Sequence, residues 1–155
     1  HLEAFPRRYV VEKDKQLDDL WQLSNDQYDL WVLAHNGFHR HFKANMLELV
    51  KAEVLPEIQV CYDLEQGDVY VKLHNTGKKA CTFTVKDKAY FALAAKSVRI
   101  EPNTEQMLSW KLQESGHWYD FEVSCAEAPS YYRRFAGRVE NGKDGVSDPA
   151  FGYTL

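Results

Sequence analysis

The sequence lacks the marks of several large protein classes. Its 155 residues contain only three cysteines and five prolines, and no run of about 18 apolar residues predicts a membrane-spanning helix. No secretory signal peptide is visible. Because the chain opens on His1-Leu2-Glu3 without a methionine, we expect it to be a piece of a longer protein.

An excess of positive charge is also missing. Nineteen Lys and Arg residues stand against 23 Asp and Glu residues, which gives a formal net charge of −4. A general nucleic-acid binder carries a basic patch, so we predict no nucleic-acid partner. The same balance argues against strong electrostatic attraction to anionic lipid, although not against insertion of aromatic side chains.

Catalytic and cofactor motifs are absent as well. There is no G-x-S-x-G, P-loop, H-E-x-x-H or EF-hand pattern, so the sequence predicts no catalytic residue, no metal and no cofactor. His35, His39 and His41 are the one alternative. On a strand, His39 and His41 project from one face about 7 Å apart, and they hold a metal only if a third ligand joins them.

The three cysteines leave two interpretations open. Cys61, Cys81 and Cys125 lie in apolar, strand-like stretches, where a cysteine behaves as a small buried hydrophobe. A disulfide between Cys81 and Cys125 is the alternative. An odd number excludes a fully paired intramolecular set, and no Cys-x-x-Cys spacing predicts a metal site.

Aromatic residues, at 14% of the chain, and alternating apolar positions favour β-strands. Gly- and Asn-containing turns separate the segments. This pattern predicts an all-β, two-sheet antiparallel sandwich of about eight to ten short strands. The predicted strands are Leu17–Ser24, Tyr28–Ala34, Phe38–Lys43, Glu57–Leu64, Val69–His74, Ala80–Lys86, Ser97–Ile100, Gln106–Leu112, Trp118–Ser124 and Tyr131–Glu140.

Helix is expected to be scarce. Only Ala44–Val54 and Lys88–Lys96 could form a turn or two, and neither shows a strong cap. We predict a connector over residues 1–14, the sandwich domain over 15–141 and a tail over 142–155, which either wraps the domain or is loose.

One motif occurs twice. Trp21-x-Leu, Tyr28-Asp29 and Arg40-x-Phe follow each other near the start, and the same order returns near the end. Internal similarity of this kind shows how a core is built, and here it predicts two similar β-hairpins, one at each end of the domain. The second copy comprises Trp110-Lys111-Leu112, Tyr119-Asp120-Phe121 and Arg133-Arg134-Phe135.

Asn36-Gly37 predicts the turn of the first hairpin, in one of two registers. A two-residue loop pairs Leu33 with Arg40. A three-residue loop pairs Val32 with Arg40, and we prefer it because it gathers the apolar side chains on one face. In either register Arg40 lies among aromatics and needs a carboxylate or a ring face as its partner.

Five residues are binding candidates. Arg40 and Arg133 either close the two hairpins, recognise a phosphate or carboxylate head group, or contact a neighbouring domain. Trp118, Tyr131 and Tyr132 belong to the core or, at strand ends, to a sugar-binding platform or a membrane-interface belt.

The doubled motif resembles the C-terminal domain of bacterial phospholipases C, the large phosphatidylcholine-preferring enzymes of haemolytic and non-haemolytic type. The likeness covers residues 7–150, and it departs from the family pattern at Ala34-His35, where Gly-Pro is usual, and at Ala44-Asn45, where a Gly is usual. The stretches that carry it are Tyr28-Asp29-Leu30, Asn36–Phe42, Val60–Asp63, Val69–Asn75, Trp118-Tyr119-Asp120, Arg133–Glu140 and Ser147-Asp148-Pro149.

This resemblance implies an exported Gram-negative parent enzyme, secreted or periplasmic, that hydrolyses phosphodiester bonds of phosphatidylcholine or sphingomyelin. The catalytic phosphoesterase domain would lie upstream, and a tandem sister domain is usual, so both are expected partners together with a phospholipid surface. The family's catalytic and metal residues have no counterpart in this sequence. We therefore predict a non-catalytic accessory domain that aids lipid engagement or domain docking. A carbohydrate-binding sandwich is the alternative.

Overall fold

The structure, a computed structural model, describes residues 6–151. Nearly all of its regular structure is β-strand, with one short α-helix and one 3₁₀ turn at Gln113–Ser115. The elements are β1 Gln27–Leu33, β2 His39–Asn45, α1 Met46–Ala52, β3 Pro56–Asp63, β4 Asp68–Asn75, β5 Cys81–Asp87, β6 Lys96–Ile100, β7 Thr104–Trp110, β8 Trp118–Cys125 and β9 Ala128–Arg138.

The strands form two antiparallel sheets. Six strands follow the order β1-β2-β9-β8-β5-β6, and three follow the order β3-β4-β7. This confirms the predicted all-β fold of two antiparallel sheets.

The core lies between the sheets. Every second side chain of β4 is buried, among them Val71 and Leu73, and these side chains share one core cluster with the buried residues of β5 and β8. The Trp110 ring, at the end of β7, stacks on Phe121 of β8 at 5.5 Å between ring centres. Period-2 burial follows from strand geometry, because successive side chains point to opposite faces.

One of the two predicted helices forms. Asn45 caps α1: its side-chain oxygen accepts hydrogen bonds from Leu47 N at 2.9 Å and Glu48 N at 3.3 Å. The expectation of a poor cap was wrong here. The helix was predicted from Ala44, but Asn45 is the last residue of β2 and caps a helix that begins at Met46.

The other predicted helix is absent: Lys88–Lys96 contains no helical turn. The Asp87 carboxylate accepts hydrogen bonds from Phe91 N and Ala92 N. These bonds hold the segment as a loop, and such local bonds compete with helix formation.

The first hairpin adopts the preferred register. Val32 pairs with Arg40 and Leu30 with Phe42, and Ala34 N donates to Phe38 O at 3.0 Å. The loop therefore comprises three residues, 35–37. Gly37 has a φ of +65°, a conformation that glycine adopts without strain.

The predicted strand Leu17–Ser24 does not form in the structure. Only Ser24 makes a bridge, to Gln27, and the residues before it are exposed. At the other end, the described part of the tail wraps the domain, because Tyr90 Oη donates to Asp148 Oδ1 at 2.8 Å and Trp118 Nε1 to Val146 O at 3.0 Å. The exact domain bounds stay a prediction.

No helix within residues 6–151 has the length and apolar character needed to cross a membrane.

Candidate functional site

The two copies of the doubled motif lie side by side, not at opposite ends of the domain. Their R-x-F strands, β2 and β9, are neighbours, so that Arg40 is opposite Phe135 and Phe42 is opposite Arg133. A local two-fold axis therefore runs between them. The W-x-L part does not follow this symmetry, since Trp110 is buried and Trp21 is exposed.

Each tyrosine binds the arginine of the other copy. Arg40 Nη2 donates to Tyr119 Oη at 2.9 Å, and Arg133 Nη2 donates to Tyr28 Oη at 2.5 Å. Each Nη1 also donates to two backbone carbonyls, one of its own strand and one of the neighbouring strand. The two hairpins are thus locked to each other by reciprocal contacts.

Arg40 is a buried structural cation. It is only 7% exposed, its guanidinium lies 4.0 Å from the centre of the Phe38 ring, and its Nη2 also donates to Tyr62 Oη at 2.5 Å. Tyr62 belongs to β3, so this bond joins the two sheets. The sequence predicted either a carboxylate or an aromatic ring face as the partner of Arg40, and in the structure its guanidinium packs on a ring face, that of Phe38.

On the outer face of the six-stranded sheet, each aspartate of the motif binds the middle residue of its own R-x-F strand. Asp120 accepts two hydrogen bonds from Arg134, at 2.8 and 2.6 Å, and Asp29 Oδ1 lies 2.6 Å from His41 Nε2. Burial by itself raises the pKa of Asp29, but the hydrogen bonds from His41 and Trp31 outweigh it and hold that pKa below the usual value.

Trp31 is the most prominent side chain of this outer face. It is 59% exposed, and one of its faces stacks on His41 at 4.2 Å and on His39 at 5.0 Å between ring centres. Tyr132 meets His41 edge-on at 5.1 Å. We call Trp31, His39, His41 and Tyr132 the outer aromatic patch.

The described residues contain no cluster of three or more His, Cys, Asp or Glu side chains suited to a metal ion, so His35 does not complete a ligand set with His39 and His41. Burial, and next the nearby Arg134, lower the pKa of His39. His39 therefore serves here as a neutral ring beneath Trp31 at neutral pH.

Comparison with known proteins decides the family. The family described as "Bacterial phospholipase C, C-terminal domain" matches residues 1–45 and 56–138. The chain belongs to this family. The unmatched residues between those two stretches hold α1.

The curated relatives are named as phospholipases C. One non-hemolytic phospholipase C, from Pseudomonas aeruginosa, is 38% identical over 95% of this chain, and another, from Burkholderia pseudomallei, is 35% identical over 93%. The hemolytic phospholipase C of Pseudomonas aeruginosa is 36% identical over 86%. The chain spans only 22%, 21% and 18% of the lengths of these relatives, which fits a C-terminal domain.

Within this phospholipase C domain, the five binding candidates fall in different places. Arg133 and Tyr131 lie together on the inner face of the six-stranded sheet, with the guanidinium 4.2 Å from the Tyr131 ring centre, and Arg40 and Tyr131 are buried. Trp118 lies beneath the tail. Tyr132 is the member that reaches the outer aromatic patch. Ligand binding by any of the five stays a prediction.

Sequence reasoning missed the patch as a unit, although its parts were visible. His39 and His41 were expected on one face of a strand, and Tyr132 was a binding candidate. The register that places Trp31 opposite His41 and Leu33 opposite His39 follows from the three-residue loop, so the contact could have been found by extending that register.

All three cysteines are free. Cys81 and Cys125 are buried, which fits their interpretation as small core residues. The hydrogen bond to the Cys125 thiol, and then burial, raise the pKa of Cys81, so Cys81 is a protonated thiol at neutral pH.

Proposed function

We propose that this domain is a non-catalytic accessory part of an exported bacterial phospholipase C, and that its outer aromatic patch docks on another part of the same polypeptide. The exposed Trp31, braced from below by two histidine rings, is the observation that carries the proposal. The catalytic portion of the enzyme and a tandem sister domain are the partners we expect.

The surroundings of the patch favour a protein partner. Paired charges surround the rings, including Asp120 with Arg134 and Lys88 with Glu122 at 3.2 Å. An aromatic centre within a polar rim is the usual composition of a protein–protein contact. Tryptophan, tyrosine and arginine supply most of the binding energy in such contacts.

Direct insertion into lipid fits this face less well. Asp29 lies within hydrogen-bond distance of Trp31 Nε1, at 3.0 Å, and a carboxylate is costly to bury in hydrocarbon. We therefore propose that lipid engagement is indirect: the docked domain helps to hold the catalytic portion, which acts on the lipid.

The test uses the full-length phospholipase C that contains this domain. Trp31→Ala should uncouple the domain from its partner, so that calorimetry shows two separate unfolding transitions where the wild type shows a coupled one. Met107→Ala, at an exposed apolar side chain of β7 outside the patch, is the control and should leave the transitions coupled.

Two binding assays on the 155-residue domain separate the alternatives. Co-sedimentation with phosphatidylcholine vesicles that depends on Trp31 would favour direct lipid binding, and a Trp31-dependent response on a glycan array would favour the carbohydrate-binding module. Identical calorimetric traces for Trp31→Ala and wild type would contradict docking through the patch.

A further inference from the structure

The outer edge of β1 is an open acceptor for another strand. β1 is the first strand of the six-stranded sheet, and within residues 6–151 β2 is the one strand that pairs with it. Because Ala34 N donates to Phe38 O, the alternation of antiparallel hydrogen bonds directs the N–H groups of Asp29 and Trp31 away from β2. The strand QYDLWVL carries no proline or lysine, which are common devices that protect an edge.

The local two-fold axis shows where the missing strand belongs. The axis relates β1 to β8, and β8 has a further neighbour, β5, on the side away from β9. The corresponding position beside β1 is unoccupied by a strand within the described residues.

The turn Ser24–Gln27, which would connect a strand at this position to β1, is already formed in the structure. Asn25 and Asp26 have φ values of 52° and 56°, as the type I′ turn of a two-residue β-hairpin requires. Gln27 N donates to Ser24 O at 3.0 Å, and Ser24 and Gln27 form an antiparallel bridge. The chain before Ser24 is therefore aimed back along β1.

Extending this bridge residue by residue gives a consistent register. Leu23 then falls opposite Tyr28 and Trp21 opposite Leu30. Tyr28 and Leu30 are the partly buried residues on the apolar face of β1. Leu20 falls opposite Trp31, at a hydrogen-bonded position, so that their backbone groups satisfy each other. The apolar pattern of the segment, the Asn25-Asp26 turn and the alternation of hydrogen-bonded pairs all favour this one register.

In the structure this segment is instead an exposed arm. Leu20 is 89% exposed, and the arm is held by Arg7, which contacts Asp19 at 2.5 Å and lies 4.1 Å from the Trp21 ring centre. These contacts lie at the protein surface, where the Arg7 and Asp19 side chains are 44% and 35% exposed, and surface ion pairs contribute little. Pairing with β1 would cover apolar surface and give hydrogen-bond partners to the unpaired backbone N–H and C=O groups at its edge.

We infer that the open edge of β1 is a strand-acceptor surface and that its occupant is the segment Leu17–Ser24, which pairs with β1 as a seventh strand. This paired state is in equilibrium with the state in which the segment is an exposed arm. This surface is the backbone edge of the strand that also carries Trp31 of the outer aromatic patch, but the inference does not depend on docking. Closure makes the edge unavailable for edge-to-edge association of domains.

Hydrogen exchange read by NMR tests closure in the wild-type domain. The amides of Asp29 and Trp31 should exchange slower, by about tenfold or more, than that of Val10, which is 92% exposed, because paired strand amides are protected. Exchange of both amides as fast as that of Val10 would overturn the inference.

Disulfide trapping tests the register. With Cys61→Ser as background and oxidised glutathione as the oxidant, Asp19→Cys with Val32→Cys should form an intramolecular disulfide, because these positions face each other at a non-hydrogen-bonded pair. Asp19→Cys with Leu33→Cys, shifted by one residue, should not. Equal yields, no cross-link, or a cross-linked dimer would each overturn the assignment of this occupant.

Discussion

A buried arginine carries five N–H donors, and Arg40 pairs four of them without a carboxylate. Two backbone carbonyls accept from its Nη1, and the hydroxyls of Tyr62 and Tyr119 accept from its Nη2. The phenyl ring of Phe38 covers one face of the guanidinium. The arginine therefore joins two hairpins and two sheets through one side chain.

Replacing this side chain should be costly. We expect Arg40→Ala to lower the free energy of unfolding by about 3 kcal/mol, because several buried acceptors lose their donor. Urea denaturation measures the change. Arg99→Ala removes an arginine whose side chain is 64% exposed, and it should change stability by less than about 0.5 kcal/mol. Similar effects of the two substitutions would contradict the structural role of Arg40.

Sequence reasoning placed Arg40 among aromatics but could not name its partners. Val32 opposite Arg40 followed from the Asn36-Gly37 loop, which is local information. Tyr119 lies 79 positions further along the chain, and its contact depends on β2 pairing with β9. The strand order that brings the two motif copies together is set by packing of the whole sheet, which no local pattern encodes.

The connections between strands carry their own constraints, and the first hairpin shows one. Gly37 has a φ of +65°, and a Cβ at this position would lie 2.7 Å from Cζ3 of Trp118. The turn chemistry was predictable from Asn36-Gly37. Its packing against Trp118 was not, because that residue comes from β8.

We expect Gly37→Ala to destabilise the domain by about 2–3 kcal/mol, through backbone strain and the clash with Trp118. Gly142→Ala is the matched control: its φ is +75°, but a Cβ there would meet no atom within 4 Å, so strain alone should cost about 1 kcal/mol. Thermal unfolding followed by circular dichroism compares the two. A smaller loss at Gly37 than at Gly142 would disprove the packing argument.

Asp68 links the start of β4 to the chain that leaves β7. Its side chain is 5% exposed. Burial by itself raises the pKa of this carboxyl, but hydrogen bonds from Lys111 Nζ at 2.6 Å and Leu112 N at 3.1 Å outweigh it and hold the pKa below 3.8. The unfolded state then binds the proton more tightly. The stabilisation is therefore fully present above about pH 4 and is lost as pH falls through the folded pKa.

Asp68→Asn should accordingly lower the free energy of unfolding by about 1–2 kcal/mol at pH 7, with a smaller difference from wild type near about pH 2. Urea titrations at a series of pH values measure this. Lys111 is exposed, so most of the effect should come from losing the carboxylate charge that strengthens the buried bond from Leu112 N, a bond that an Asn oxygen can still accept. Asp144→Asn, at an exposed carboxylate, is the control. A difference from wild type that does not change with pH would refute the ionic origin.

The whole domain is an uneven sandwich, in which three strands cover part of a six-stranded sheet. Phe121 of β8 lies directly against Trp110 of the smaller sheet, whereas Val32 and Leu33 of β1 remain exposed. Strand number, class and most strand positions followed from period-2 alternation. The division into six and three strands did not, because alternation tells which face of a strand is buried and not which strand lies beside it.

The tail completes this sandwich on the side of Trp118. Val146 O accepts from Trp118 Nε1 and Asp148 accepts from Tyr90 Oη, and Gly145 lies against the guanidinium of Arg138 so closely that a Cβ would approach its Cζ to 2.3 Å. These contacts fix the Ser147-Asp148-Pro149 stretch that is part of the family resemblance.

Truncation after Asn141 should therefore destabilise the domain by about 2 kcal/mol, since it uncovers Trp118 and leaves the Tyr90 hydroxyl without its acceptor. A double-mutant cycle assigns the effect. Tyr90→Phe should cost about 1 kcal/mol in the full chain and almost nothing in the truncated chain, because the bond to Asp148 is already gone. If Tyr90→Phe has the same effect in both chains, the tail does not hold the domain through this contact, and the wrap must act through Trp118 and Arg138 alone.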